Sequence, residues 1–131
     1  MSEIEVRNTL TKSERLNSDI DINELFTTGQ SFVKYPLRIV FGYPSRESNV
    51  CRILISVPKK RFKRAVHRNR IKRLVREAYR LNKTLLTQHT ESRRIDVAFV
   101  YIDNKMPTFS QIEQSVKAAL TRIADTIKNG K

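Results

Sequence analysis

Several features that would assign a function class directly are scarce in this chain of 131 residues. It has one cysteine, Cys51, so it cannot form an internal disulfide and has no second thiol for a cysteine metal site. Cys51 lies in an apolar, strand-like run, which favours a buried small residue over a reactive thiol. His67 and His89 are the only histidines, and Asp96 and Asp103 bracket one strand without metal-ligand spacing. The sequence therefore predicts no catalytic and no metal-binding residues of its own.

Long hydrophobic runs are also missing. No stretch approaches the roughly 20 apolar residues of a membrane span, and the first residues lack the basic start and apolar centre of a signal peptide. We therefore expect a cytoplasmic protein with no membrane partner. A length of 131 residues with 39% hydrophobic residues suits one core, which predicts a single domain over residues 1–131, with residues 1–17 as a flexible or loosely packed arm.

Acidic residues are nearly absent from one strongly basic segment. The chain has 26 Lys and Arg residues against 13 Asp and Glu, a formal net charge of +13. Residues 59–80 hold eleven of the basic residues and one acidic residue, Glu77, and so carry +10 of that charge. Clustered cations displace counterions from a phosphate backbone and gain affinity that scattered charges do not. This asymmetry predicts a polyanionic partner.

The first half of the chain predicts one helix and two strands. Ser18 can cap a short helix that has acidic residues in its first turn, and Gly29 can close it. Apolar residues alternate over residues 36–43 and 50–57 with turn residues between them, which predicts an antiparallel hairpin. Residues 31–34 could add a further short strand.

The second half predicts a central strand and a closing helix. Residues 96–102, DVAFVYI, are nearly all apolar, as expected of a strand that is buried on both faces. The last helix can start with a capping box formed by Thr108 and Gln111 or by Ser110 and Glu113. The order of elements is α, β, β, α, β, α, which predicts an α/β (α+β) two-layer sandwich.

The basic segment contains a predicted helix from about residue 64 to residue 85. At 100° per residue its apolar residues fall on one stripe that can dock on the sheet. The stripe consists of Ile71, Leu74, Val75, Ala78, Leu81 and Leu85. The opposite face carries Asn69, Lys72, Arg73, Arg76 and Arg80, with Arg68 and Tyr79 on one flank and Arg70 and Glu77 on the other.

The charged face of this helix is typical of nucleic-acid binding. A solvated face usually mixes charge signs, and a membrane-surface helix needs its apolar side free, so RNA or DNA is favoured over both. Within the helix arginine outnumbers lysine, which suits bidentate phosphate contacts. Glu77 can offset the repulsion by pairing with Arg73. Asn69 can hydrogen-bond a 2′-hydroxyl or base edge, or cap the local backbone, and the sequence leaves both open.

The stretch RNRIKRLVREAYR, residues 68–80, resembles the arginine-asparagine-arginine region of the bacterial ribonuclease P protein subunit. Further motifs follow in that family's order and extend the resemblance over about residues 10–101. They are LTKSERL at 10–16, LFTTGQSF at 25–32, PLRIVF at 36–41 and ISVPKKRFKRAV at 55–66.

This resemblance implies an endoribonuclease subunit whose own side chains are not catalytic. In the family a large RNA cuts precursor tRNA to free the mature 5′ end, using Mg²⁺ held mainly by the RNA, while the protein docks on that RNA and holds the 5′ leader. The implied partners are therefore ribonuclease P RNA and precursor tRNA, with no protein partner required. The predicted RNA-binding residues are Lys59, Lys60, Arg61, Lys63, Arg64, Arg68, Asn69, Arg70, Lys72, Arg73, Arg76 and Arg80.

The resemblance also places the leader in a cleft between the sheet and the first helix. The implied contacts are Phe26, Ile22, Val40 and Lys60. The family further has a left-handed β-α-β crossover through the basic helix, against the usual right-handed preference. Four aromatic residues could stack on leader bases, although core packing is favoured for any one of them. They are Phe26, Phe32, Tyr35 and Phe41.

Three positions depart from the family pattern in this cleft. Leu54 stands where glycine is common, and Ile22 and Val40 stand where aromatic residues are frequent. We therefore expect a cleft of different shape.

A second hypothesis is a non-enzymatic protein of the ribosomal or assembly-factor type that binds structured RNA through the same helix. Composition does not separate the two hypotheses, whereas the agreement of several separated motifs favours ribonuclease P. Neither Arg68 nor Arg73 lies on the apolar stripe, so alanine at either position is expected to weaken RNA binding and leave the fold intact.

Overall fold

The computed structural model describes residues 14–16, 18–43, 51–87 and 95–129. These residues contain four helices and four strands. In chain order the elements are α1 (Asp19–Thr28), β1 (Gln30–Lys34), β2 (Leu37–Gly42), β3 (Arg52–Ser56), α2 (Ala65–Asn82), α3 (Thr84–Thr87), β4 (Asp96–Tyr101) and α4 (Phe109–Lys128). The predicted α+β class is confirmed, and the further short strand is present as β1.

The four strands form one sheet in the order β1-β2-β4-β3. The β1–β2 and β2–β4 pairs are antiparallel, and β3 runs parallel to β4. The predicted hairpin of β2 and β3 is therefore wrong, because β4 lies between them. The apolar strand β4 takes the central place expected of it, since only there can both faces be covered. A parallel pair needs a crossover, which α2 supplies; its left hand stays a prediction.

The main core lies between one face of the sheet and the helices α2 and α4. Ile71, Val75 and Ala78 of the predicted α2 stripe are fully buried. Leu81 is exposed, so its place in the stripe was wrong. The helix ends at Asn82 and the chain turns before α3, so the helical phase is not continued to residue 85. Tyr79, expected on the polar flank, is instead fully buried beside Phe99.

The Tyr79 hydroxyl has no hydrogen-bond partner among the described residues. Burial raises the pKa of Tyr79 well above its ordinary value. A raised folded-state pKa means that stability is fully present below the unfolded pKa and is lost as the pH rises through the folded value. At pH 7 the wild-type hydroxyl is buried and unpaired among the described residues. Because Tyr79→Phe removes this hydroxyl, we expect the variant to have a free energy of unfolding about 1 kcal/mol higher at pH 7.

Urea denaturation at pH 7 and above about pH 10, the ordinary tyrosine pKa, tests this expectation. The wild type should lose more stability between the two pH values than the Tyr79→Phe variant. Tyr101, whose pKa burial raises to about 12, remains in both proteins and serves as a common background. A variant less stable than the wild type at pH 7 would contradict the expectation.

The closing helix α4 begins at the first of the two predicted capping boxes. Gln111 N donates to Thr108 Oγ1 at 3.2 Å, and Thr108 N donates to Gln111 Oε1 at 3.0 Å, so this pair forms the capping box. Asn129 is the C-terminal cap. The buried stripe of α4 contains Ile112, Val116, Ala119, Leu120 and Ile123.

Helix α1 packs on the other face of the sheet, where it forms a smaller cluster with Leu25, Val40 and Ala98 at its centre. Ser18 caps the helix, as predicted, because its side chain accepts from the amide of Asp21. Gly29 ends it against β2. A Cβ at Gly29 would lie 2.5 Å from the Leu25 carbonyl oxygen and 2.9 Å from another backbone carbonyl, so only glycine allows this approach.

Part of the predicted arm packs on the sheet. Leu16 is buried, and its amide donates to the carbonyl of Ile53 at 2.8 Å. Lys83 pairs with Glu14 at 3.1 Å and ties this segment to the end of α2. Residues 14–16 are therefore packed rather than loose, while residues 1–13 and 17 lie outside the described residues. No helix of the described residues is long and apolar enough to cross a membrane.

Candidate RNA interface

The predicted RNA-binding side chains all reach the surface. Seven are exposed and five are partly buried. The exposed group is Lys59, Lys60, Lys63, Arg64, Asn69, Arg70 and Arg73; the partly buried group is Arg61, Arg68, Lys72, Arg76 and Arg80. We call the polar side of α2, with Asn69, Arg70, Lys72, Arg73, Arg76 and Arg80, the basic face. It lies opposite the buried stripe, as the helical period predicts.

The first turn of α2 places positive charge where a helix ordinarily favours negative charge. Arg64 is the N-cap residue and its side chain makes no capping hydrogen bond, and the first turn has no acidic residue. The amides of this turn and the cations around it both favour an anion. A phosphate group would satisfy the free amides and reduce the repulsion between the cations.

Glu77 pairs with Arg80 rather than with Arg73. Arg80 Nε donates to Glu77 Oε1 at 3.0 Å, and a second bond joins Nη2 to Oε2. The hydrogen bond from Arg80 lowers the pKa of Glu77. Arg73 is exposed and makes no hydrogen bond or ion pair with another described residue. Its guanidinium is therefore available for a partner, whereas that of Arg80 is already paired.

Asn69 has an exposed side chain that makes no hydrogen bond to the described backbone. Of the two roles that the sequence leaves open, local capping is therefore not seen in the free protein. The amide can donate to and accept from a partner at the same time.

Arg68 has a second role that its sequence position did not reveal. Its Nη1 donates to the carbonyl oxygens of Phe62 at 2.8 Å and Lys63 at 2.9 Å. These two residues belong to the segment that leads from β3 into α2, and Phe62 packs against Tyr101 in turn. Arg68 therefore connects the first turn of α2 to the segment that precedes it.

We expect Arg68→Ala to lower the free energy of unfolding by about 1–2 kcal/mol, because two charge-assisted hydrogen bonds are lost, one to a partly buried and one to an exposed carbonyl. This revises the expectation that alanine leaves the fold intact. Arg70→Ala is the matched control, since it removes the same charge from an exposed side chain with no described contact. Urea denaturation of both variants decides the matter. Equal stability of the two would show that the Arg68 contacts contribute nothing.

A second surface lies on the face of the sheet that carries α1. Register places side chains of this face in rows that cross β2, β4 and β3. The first row is Gly42, Asp96 and Arg52; the second is Val40, Ala98 and Leu54; the third is Arg38, Val100 and Ser56. Helix α1 covers the first two rows, because Asp21 lies 3.1 Å from Arg52 and Leu25 packs against Val40.

The third row remains open. Arg38 is exposed, and Val100 and Ser56 are partly exposed. Val33 of β1, which pairs with Arg38, is also exposed. We call the space between α1 and the third row the groove. Arg38 was not predicted as a site residue, although strand alternation places it on the same face as Val40 and could have revealed it.

The predicted leader-binding residues do not contribute equally to the groove. Phe26 is 41% exposed, and Ile22, one turn earlier on α1, is partly buried. Lys60 is exposed in the turn that follows β3. Val40 is only 2% exposed because Leu25 covers it, so its side chain supports α1 and offers no surface to a ligand.

Two of the aromatic residues expected around the cleft lie elsewhere. Phe32 and Phe41 form an edge-on pair with ring centroids 6.0 Å apart in the core on the opposite face of the sheet. For these two residues the favoured core packing is therefore confirmed and a stacking role is not, because successive strand residues point to opposite faces and Phe41 follows Val40 directly. Tyr35 is exposed at the end of β1. Leu54, where the family commonly has glycine, packs beneath α1 with Ile22.

No group of three or more His, Cys, Asp or Glu side chains among the described residues could hold a metal ion. Asp96, one of the two aspartates that bracket β4, is buried and pairs with Arg52 at 2.9 Å. His67 is exposed, and His89 lies outside the described residues. Cys51 is buried, as expected.

Comparison with known sequences gives one consistent family. A family model described as Ribonuclease P matches residues 10–124. The ribonuclease P protein component of Porphyromonas gingivalis strain W83 is 48% identical over 122 residues, which cover 90% of this chain and 88% of the relative. That of Clostridioides difficile is 34% identical over 113 residues, which cover 85% of this chain and 92% of the relative.

Solved structures of the same family share the fold. The RNase P protein of Staphylococcus aureus superposes with a TM-score of 0.65 at 26% identity, covering 88% of this chain and 99% of that protein. The RNase P protein of Thermotoga maritima gives a TM-score of 0.67 at 24% identity, with 83% and 96% coverage.

Proposed function

This chain belongs to the ribonuclease P protein family, and we propose that it is the subunit that supports cleavage of precursor tRNA at the mature 5′ end. Membership of the family makes it a subunit of a ribonuclease holoenzyme, with ribonuclease P RNA as its partner. The finer proposal has two parts: the basic face binds that RNA, and the groove holds the 5′ leader of precursor tRNA.

One observation carries the first part of this proposal. Arg70 and Arg73 of the basic face are exposed and make no hydrogen bond or ion pair with another described residue. Arginine grips phosphate oxygens with a planar fork, and an RNA helix offers closely spaced phosphates along its backbone. The apolar side of the same helix is committed to the core, so a membrane is a poor alternative partner.

The groove supports the second part. An extended single strand of RNA is best held by cations together with aromatic or apolar surfaces against which bases can stack. Phe26 supplies an exposed ring, Val33 an apolar surface, and Arg38 and Lys60 supply cations. The groove and the basic face lie on different elements, so one protein can contact the catalytic RNA and the leader at the same time.

The proposal assigns catalysis and its Mg²⁺ ions to the RNA. The buried carboxylates Asp21 and Asp96 do not suit Mg²⁺, because the guanidinium of Arg52 already occupies the cation position between them. Protein side chains then contribute by binding and orienting the two RNAs. In this proposal the protein works in the cytoplasm and needs no protein partner.

Recovery of RNA that is crosslinked to the protein in cells tests the function. We expect ribonuclease P RNA to be the most enriched species, with precursor tRNA enriched over mature tRNA. Enrichment of ribosomal RNA alone would overturn the proposal in favour of a ribosomal or assembly role. Purified protein without RNA should leave precursor tRNA uncut, whereas cleavage by the protein alone would contradict the assignment of catalysis to the RNA.

Phe26→Ala should lower the preference of the reconstituted holoenzyme for precursor over mature tRNA by about threefold to tenfold. One base stacked on an aromatic ring contributes about 1–3 kcal/mol to binding, and the other residues of the groove retain part of this contribution. Ile20→Ala is the matched control, because Ile20 is an exposed apolar residue of the same helix. Equilibrium binding of both tRNA forms measures the ratio. An unchanged ratio with Phe26→Ala would remove this residue from the leader site.

A further inference from the structure

A buried cluster of three charged side chains joins α1 to the sheet beneath it. Arg52, the first residue of β3, donates from Nε to Asp96 Oδ1 at 3.0 Å and from Nη2 to Asp96 Oδ2 at 2.9 Å. The same Nη2 lies 3.1 Å from Oδ2 of Asp21, in the first turn of α1. The side chain of Arg52 is 13% exposed and each carboxylate 3%. One guanidinium therefore connects α1, β3 and β4.

The geometry of this cluster fixes the place of Asp21. The two bonds to Asp96 hold the guanidinium in one orientation, because a planar fork meets a carboxylate in parallel. Burial by itself lowers the pKa of Arg52, and the contacts with Asp96 and Asp21 more than offset this, so its pKa lies above the ordinary value. Arg52 therefore stays positively charged, and its two hydrogen bonds to Asp96 fix the position from which it attracts Asp21.

Helix α1 has a separate attachment at its other end. Gly29 approaches the backbone of β2 so closely that a Cβ would collide with it. Between the two ends Leu25 packs on Val40. The side of α1 toward the open third row has no such attachment, since Phe26 and Arg38 are both exposed. The position of α1 over the groove is thus set by Asp21 at its start and Gly29 at its end.

We propose that the Asp21–Arg52 ion pair positions α1 at the distance from the third row that holds a single strand of RNA. The inference rests on the proposed leader role of the groove. Asp21 and Arg52 are positioning residues, because they are buried beneath α1 and act on the RNA only through the placement of Phe26.

Asp21→Asn tests the proposal, because it removes the tether of α1 and leaves the Arg52–Asp96 pair in place. Asp19→Asn is the matched control: Asp19 lies in the same first turn, carries the same charge and is exposed. Both variants lose the same interaction with the helix dipole. Three quantities are measured: amide hydrogen exchange in α1 and α2, the affinity for ribonuclease P RNA, and the ratio of affinities for precursor and mature tRNA.

We expect Asp21→Asn to speed amide exchange in α1 but not in α2, and to lower the precursor preference by about threefold to tenfold with unchanged affinity for ribonuclease P RNA. Asp19→Asn should change none of the three. Faster exchange in α1 with an unchanged precursor preference would overturn the positioning role, and unchanged exchange would overturn the tether. A wild-type holoenzyme with no precursor preference would instead refute the leader role, and hence the inference that rests on it, while the exchange rates still report on the tether.

Discussion

Replacement of Arg73 by alanine should weaken binding of ribonuclease P RNA about tenfold at moderate salt, the loss expected for one arginine contact with RNA. Arg73 is exposed, lies near the middle of the basic face and has no described contact to lose within the protein. Its removal therefore costs binding and leaves the core untouched. The free energy of unfolding should change by less than about 0.5 kcal/mol, as for other surface substitutions.

The salt dependence of binding gives the sharper readout for Arg73. Each phosphate contact contributes about 0.7–0.9 to the slope of log affinity against log salt. Arg73→Ala should lower the magnitude of this slope by that amount. Lys117→Ala is the control, because Lys117 is exposed on α4 and its loss changes net charge equally. If both variants reduced affinity and slope alike, the net charge of the protein, and not the basic face, would explain RNA binding.

Arg52→Met should destabilise the protein by about 3–5 kcal/mol, the cost of removing one partner from a buried ion pair. Asp21 and Asp96 are each almost fully buried and both pair with this one side chain. Methionine fills similar space but compensates neither charge. The expected loss would be a large part of the total stability of a domain of this size.

Urea denaturation of the Arg52→Met variant and of the wild type at pH 7 measures this loss. A difference below about 1 kcal/mol, the contribution of a surface ion pair, would show that the buried pairs add little to stability. Arg38→Met, at an exposed arginine of the same face, controls for net charge.

Features with a local physical cause could be predicted from the sequence. Ser18 and Gly29 bound α1 through a cap and a close approach, and Thr108 with Gln111 starts α4 through a capping box. The basic face was also predictable, because the 3.6-residue period separates charged from apolar residues within a single helix.

Features that depend on distant pairing could not be predicted in this way. Strand alternation in β2 and β3 shows that both are strands, but it does not reveal that β4 enters between them. Arg52 and Asp96 are 44 residues apart and meet only because β3 and β4 are neighbours. The same holds within the candidate site: Val40 is on the correct face, yet its burial depends on where α1 crosses the sheet.

The basic face takes its place on the sheet only when β3 and β4, which α2 separates in sequence, have paired. A long segment of chain separates β3 from β4. Bringing the two strands together lowers the conformational entropy of this segment, and that cost precedes the stabilisation gained from strand pairing. Residues 59–80, which lie between these two strands, hold eleven cations that repel one another. RNA that binds only the finished face would relieve the repulsion and shift the equilibrium toward the folded protein in proportion to its concentration. Ribonuclease P RNA would then act as a folding ligand for this subunit.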